Sequence, residues 1–193
     1  NSKAIDNEIA LLKSHSQIKL IIDQLDFNVS YFEEGDLQTF EIYKDSPFIV
    51  EYEDTLPQPL EQQINLKIVD KGHFVLQTEN LMFDGKTKYS FGERIQGEQF
   101  NFKIETRSPD ISPTILKKSY LFIIHKKDNL INTFRNKLNM KLERGTSLLV
   151  IATSGTNIQK EKDFLNKLTE VYIKGNLERK NQISNNTIEF IEK

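Results

Sequence analysis

The chain has 193 residues, 37% hydrophobic and 28% charged, the balance of a globular domain and not of a disordered chain. A formal net charge of -2 supplies no field that would gather nucleic acid, and the lack of cysteine excludes thiol nucleophiles, thiolate metal sites and disulfides. No stretch approaches the ~18 consecutive apolar residues of a membrane span, and no signal-peptide pattern is present.

The chain opens as helix over residues 3–25, with Ser2 placed to cap it. Ile5, Ile9, Leu12, Ile18, Ile22 and Leu25 recur near the helical period. Ser14-His15-Ser16 weakens the middle and marks a bend or a break into two shorter helices.

From about residue 28 the period changes to two. Val29 and Tyr31, Phe40 and Ile42, Ile49 and Tyr52, Ile64 to Ile68, Phe74 and Leu76, Tyr89 and Phe91, and Phe100 to Ile104 form short alternating runs. Glu34-Gly35-Asp36, Asp45-Ser46-Pro47, Asp70-Lys71-Gly72 and Asp84-Gly85 separate them as turns. Pro57 and Pro59 mark a further pause, and Pro109 and Pro113 close the region. Regular short strands with this punctuation predict an antiparallel β-rich unit.

Beyond it the pattern is mixed. Tyr120-Leu121-Phe122-Ile123-Ile124 reads as a strand buried on both faces, and Asp128 as the cap of a short helix with Leu130, Ile131, Phe134 and Leu138. Met140 and Leu142 suggest a strand, and Ser147–Ala152 a second strongly buried one. Gly155-Thr156 leads into a last helix from about 157, with Thr156 or Asn157 as N-cap.

That helix carries a wide apolar stripe at Phe164, Leu165, Leu168, Val171 and Tyr172, expected to pack on the sheet. Glu178 to Asn186 is polar nearly all round. The stripe resumes with Ile183, Thr187, Phe190 and Ile191, heptad-like positions that point to an oligomer contact or a partner helix. Asn1 in place of Met, and the helical ending Glu189-Phe190-Ile191-Glu192-Lys193, read as cuts within a longer protein.

The predicted class is α+β: a mixed sheet packed by an N-terminal helix and a long C-terminal helix, with a β-rich antiparallel insertion. The base takes residues 1–27 and 114–193, and the insertion about 28–113.

Few residues suggest chemistry. His15, His73 and His125 are scattered and make no recognised metal motif. Glu33-Glu34 sits at a turn, Glu61 follows the proline bend, and Glu51 and Glu53 share what reads as the solvent face of a strand, not a facing acid pair. Thr153-Ser154-Gly155 precedes a helix, but no phosphate-binding glycine motif surrounds it. Lys117-Lys118 and Lys126-Lys127 flank a buried strand and read as its exits into water. No catalytic, cofactor-binding or metal residue is assigned.

Two segments carry a family likeness. Ile5-Asp6-Asn7-Glu8-Ile9-Ala10-Leu11-Leu12-Lys13-Ser14 resembles the I-x-x-E-I-x-x-L-x-S opening of the Wzz-type chain-length-determinant domain. Ile21 to Phe32 looks like the version found in exopolysaccharide proteins of the Bacteroidetes group. Phe164 to Tyr172 and Asn181 to Ile191 resemble the helix that ends the same domain, so the likeness brackets nearly the whole chain. The β-rich middle departs from the shorter enterobacterial pattern and resembles the enlarged form.

The resemblance implies a polysaccharide co-polymerase: a homo-oligomeric ring on the periplasmic side of the bacterial inner membrane, anchored by transmembrane helices outside this chain. Its partners would be the polymerase and export machinery and the polysaccharide itself. Its role would be to set the chain length or export of O-antigen, capsule or exopolysaccharide. Members of this form often continue into a cytoplasmic tyrosine kinase, so an outer module of such an autokinase is a second expectation, with no kinase element in these residues. A third is a periplasmic carbohydrate-binding domain, with Tyr31, Tyr43 or Tyr52 stacking on sugar rings.

Overall fold

A computed structural model describes residues 2–78, 88–107, 111–146 and 148–191. The expected turn at Asp84-Gly85, together with Pro109 and Ser147, lies outside the described residues.

In chain order the helices α1 (Ser2–Leu12) and α2 (His15–Ile22) are followed by β1 (Val29–Glu34), β2 (Thr39–Glu41), a 3-10 turn (Tyr43–Asp45) and β3 (Phe48–Tyr52). Next come β4 (Ile64–Asp70), β5 (His73–Gln77), β6 (Tyr89–Ser90), β7 (Arg94–Gly97) and β8 (Phe100–Thr106). The remainder is α3 (Pro113–Leu116), β9 (Ser119–Ile124), α4 (Lys127–Lys137), β10 (Asn139–Leu142), β11 (Leu149–Ala152) and α5 (Ile158–Ile191). The class is α+β, with an N-terminal helix and a long C-terminal one. The ladders between these strands are antiparallel; Leu60 and Ile124 add an isolated parallel bridge.

Contacts divide the chain into two compact units, Phe27–Leu130 and, from both ends of the sequence, Asn1–Asp26 with Ile131–Lys193. The sequence reading placed the strand at 120–124 with the helical base. It belongs instead to the β unit, where β9 pairs with β1 on one side and β4 on the other. The physical reason is its composition. Tyr120 and Phe122 face one way and Leu121 the other, all buried, so the strand needs a neighbour at each edge and cover on both faces.

The β unit is a two-layer sandwich. A six-stranded sheet runs β2-β1-β9-β4-β5-β6, and a three-stranded sheet runs β3-β8-β7. Strict alternation builds the inner faces: Ile64, Leu66 and Ile68 are buried in β4, and Phe100, Phe102 and Ile104 in β8. Phe48 of the small sheet meets the rings of Tyr31, Tyr120 and Phe122 of the large one edge-on. Such pairs add about 0.5–1.5 kcal/mol each beyond the area they bury.

The helical unit packs α2 along α5. Ile18, Ile21 and Ile22 of α2, Phe134 of α4, and Phe164, Leu168 and Val171 of α5 are all buried. The sequence expected the α5 stripe to lie on a sheet. Within this unit Phe164 instead lies against Phe134 of α4, with ring centroids 4.6 Å apart and planes tilted by 46°. The Tyr172 hydroxyl donates to Glu8 of α1 at 2.9 Å.

The break between the first two helices has a local cause. Ser14 is extended and accepts a hydrogen bond from the Gln17 amide, an N-cap that starts a new helix after Leu12. The strand at 149–152, read as strongly buried, forms only a hairpin with β10, and Leu148 and Val150 are exposed. A two-stranded ribbon has no second layer to cover both faces.

Candidate binding cleft

Four chain segments of the β unit meet at a cleft of about 580 Å³. Asn28 precedes β1. Tyr52 and Asp54 lie at and just past the end of β3. The proline bend brings Leu56, Gln58 and Leu60, and the stretch 125–129 runs from the end of β9 into α4.

Glu61 ties these segments together. Its backbone is left-handed, with φ of 60°, a conformation uncommon outside glycine. That conformation lets its amide donate to the Ile124 carbonyl at 2.7 Å while the side chain turns toward α4. The carboxylate accepts from the Lys126 amide at 2.8 Å and from the Asn129 side chain at 3.2 Å. Its other oxygen lies 3.3 Å from His125 Nδ1, and His125 Nε2 lies 2.9 Å from Ser30 Oγ. Burial alone would raise the Glu61 pKa, but the bonds from Lys126, His125 and Asn129 outweigh it and hold the carboxyl below its ordinary value. A carboxylate at a helix N-terminus is also favoured by the helix dipole.

Gln58 shapes the inner wall. Its Nε2 donates to the carbonyls of Glu53 and Asn101, at 3.2 and 2.7 Å. Those two bonds fix which way the amide points. Its Oε1 is buried and receives no protein donor, and neither does Asn101 Oδ1. Buried acceptors without donors are rare in folded proteins. Tyr52 is half-buried beside them. Burial first, then the Asp54 and Tyr31 charges, push its hydroxyl up to about 12, so it stays protonated and able to donate at any physiological pH.

Of the three tyrosines considered for sugar stacking, this cleft takes one. Tyr31 is a core residue whose hydroxyl accepts from the Val50 amide at 3.1 Å, and Tyr43 is buried against Phe27. Of the carboxylates singled out in the sequence, Glu61 is at this cleft and Glu51, Glu53 and Glu33 lie elsewhere. Glu51 pairs with Lys103 at 2.8 Å, Glu53 with Arg94 at 2.7 Å and Glu33 with Lys118 at 2.8 Å. His15 opens α2, and His73 Nδ1 lies 2.7 Å from Asp70. Among the described residues, no three His, Asp or Glu converge as metal ligands.

Thr153-Ser154-Gly155 serves the helical unit. The Glu161 carboxylate accepts from Thr153 Oγ1 at 2.7 Å and Lys137 Nζ at 2.6 Å, and Asn157 caps α5 by accepting from the Lys160 amide. On α5, Ile183 is 67% exposed. Thr187, Phe190 and Ile191 fall in the same helix, and their side chains lie outside the described residues.

Sequence reasoning missed Asn28, Asp54, Gln58 and Asn129. The one available signal was the Pro57-Gln58-Pro59 bend, where a flanked amide has few conformations. Ile173 and Leu177, one turn apart on α5 and off the buried stripe, are 53% and 57% exposed. No helix among the described residues is long and apolar enough to cross a membrane. Compared with known proteins, the chain matches no family model and no curated protein.

Proposed function

We propose that this chain is the extracytoplasmic assembly domain of a Wzz-type polysaccharide co-polymerase, a non-catalytic scaffold that sets the length or export of a bacterial surface polysaccharide. It would work as a homo-oligomer at the periplasmic face of the inner membrane, held there by membrane helices outside this chain.

The observation that carries the reading is α5. Its 34 residues extend on the order of 50 Å at about 1.5 Å per residue. Phe164, Leu168 and Val171 are buried in the helical unit, and beyond them Ile173, Leu177 and Ile183 are each more than half exposed. Large apolar side chains at such exposure along one helix are the kind of surface that subunits cover on assembly. The N-terminal segment folds with the segment that carries α5, and the β-rich segment folds as a unit of its own.

Cross-linking tests the reading, with a cysteine introduced into a chain that has none of its own and the unaltered anchored protein as control. Leu177→Cys in the membrane-anchored protein is expected to give a disulfide-linked dimer on mild oxidation. A product that stays entirely monomeric would remove the reading's main support.

A further inference from the structure

We propose that the cleft between the end of β3, the proline bend and the start of α4 is a saccharide-binding site. The ligand class follows from what the cleft presents. A sugar hydroxyl both donates and accepts, and the cleft presents both kinds of partner. The acceptor is the exposed Asp54 carboxylate. Donors are the Tyr52 hydroxyl, which stays protonated, and the Asn28 amide. The Tyr52 ring with Leu56 and Leu60 supplies apolar surface for the C–H face of a pyranose.

Other ligand classes fit less well. Lys126 and Lys127 share the cleft with Asp54 and Asp128, so it has no single sign to hold a phosphate. The Glu61 carboxylate already takes the Lys126 amide at the start of α4, the position an anion would seek. An apolar ligand would have to cover Asp54 and Asn28 without satisfying them, which is costly.

The Gln58 amide is held by two carbonyls, which fixes the inner wall of the cleft. The strained backbone at Glu61 holds the wall on the other side, by joining the proline bend to β9 and α4. This inference adds a ligand to the assembly reading and does not rest on it.

The test is a titration of the isotope-labelled chain with short oligomers of glucose, of galactose and of N-acetylhexosamine, followed by amide chemical shifts. At least one probe is expected to shift the backbone amides of residues 54–60 and 125–129 and the side-chain amide of Gln58. Asp54→Ala, at an exposed position, is expected to leave the fold intact and to weaken that binding about tenfold, the loss of one charged hydrogen bond. Tyr52→Phe keeps the ring and is expected to weaken it less. If none of the probes moves a cleft amide at up to about 10 mM, a concentration that reveals even millimolar affinity, the proposal is overturned. Equal binding by Asp54→Ala overturns it as well.

Discussion

Phe102 of the small sheet stands edge-on to Phe122 of the large one, with centroids 5.7 Å apart and planes at 78°. Phe122 is fully buried at the middle of β9, between Tyr31 of β1 and Ile64 of β4 in register. It therefore belongs to both a ladder and the layer that joins the two sheets. Phe122→Ala is expected to cost about 3–5 kcal/mol, because the sandwich cannot collapse into the space. Urea denaturation followed by circular dichroism reads this directly, and a loss below about 1 kcal/mol would mean the sheets do not depend on this contact.

Two glycines give opposite expectations. At Gly155 the Glu161 carboxylate fills the place of a Cβ, while at Gly175, inside α5, nothing lies within 4 Å of one. Gly155→Ala must displace a carboxylate that already holds Lys137 and Thr153, and is expected to destabilise by about 1–3 kcal/mol. Gly175→Ala is expected to stabilise by about 0.5–1 kcal/mol through helix propensity alone. Thermal unfolding of both variants checks the pair, and the sign difference matters more than either size.

Glu61 links stability to pH. Its folded pKa lies below the ordinary value of 4.5, so the charged form is favoured by folding. The stabilisation is fully present above about pH 4.5 and is lost as pH falls through the lower folded value. Glu61→Gln is therefore expected to be destabilising at pH 7, with a gap from the parent that narrows on going to pH 3. A gap that stays constant would mean that the carboxylate's charge plays no part in holding His125, Lys126 and Asn129.

The alternation of Ile64, Leu66 and Ile68 made β4 legible, and the Phe100-Phe102-Ile104 run made β8 legible, because a half-buried strand writes its face into its sequence. The continuous run at 120–124 revealed burial but not partners: a period tells which face is covered, not by what. That is why β9 was assigned to the wrong unit. The hairpin at 149–152 failed for the converse reason, since an apolar run was taken as buried while only one side of the ribbon is partly covered. The helix break at Ser14 was half-read. Ser14-His15-Ser16-Gln17 carries the serine and the glutamine of a capping box, which separates a break from a bend. The cleft was legible only in Tyr52, named as a ring for sugar stacking, and in Glu61, named at the proline bend. Asn28, Gln58 and Asn129 carry no period, and the turns that bring them together are set by the left-handed residue at Glu61, which nothing local to the sequence demands.

The central claim is assembly, and its most direct measurement is the mass of the membrane-anchored protein in detergent by light scattering after size exclusion. The expected result is a closed oligomer that shifts toward monomer when Ile173, Leu177 and Ile183, all exposed on α5, are changed together to serine. A strict monomer for the unaltered anchored protein would contradict the claim.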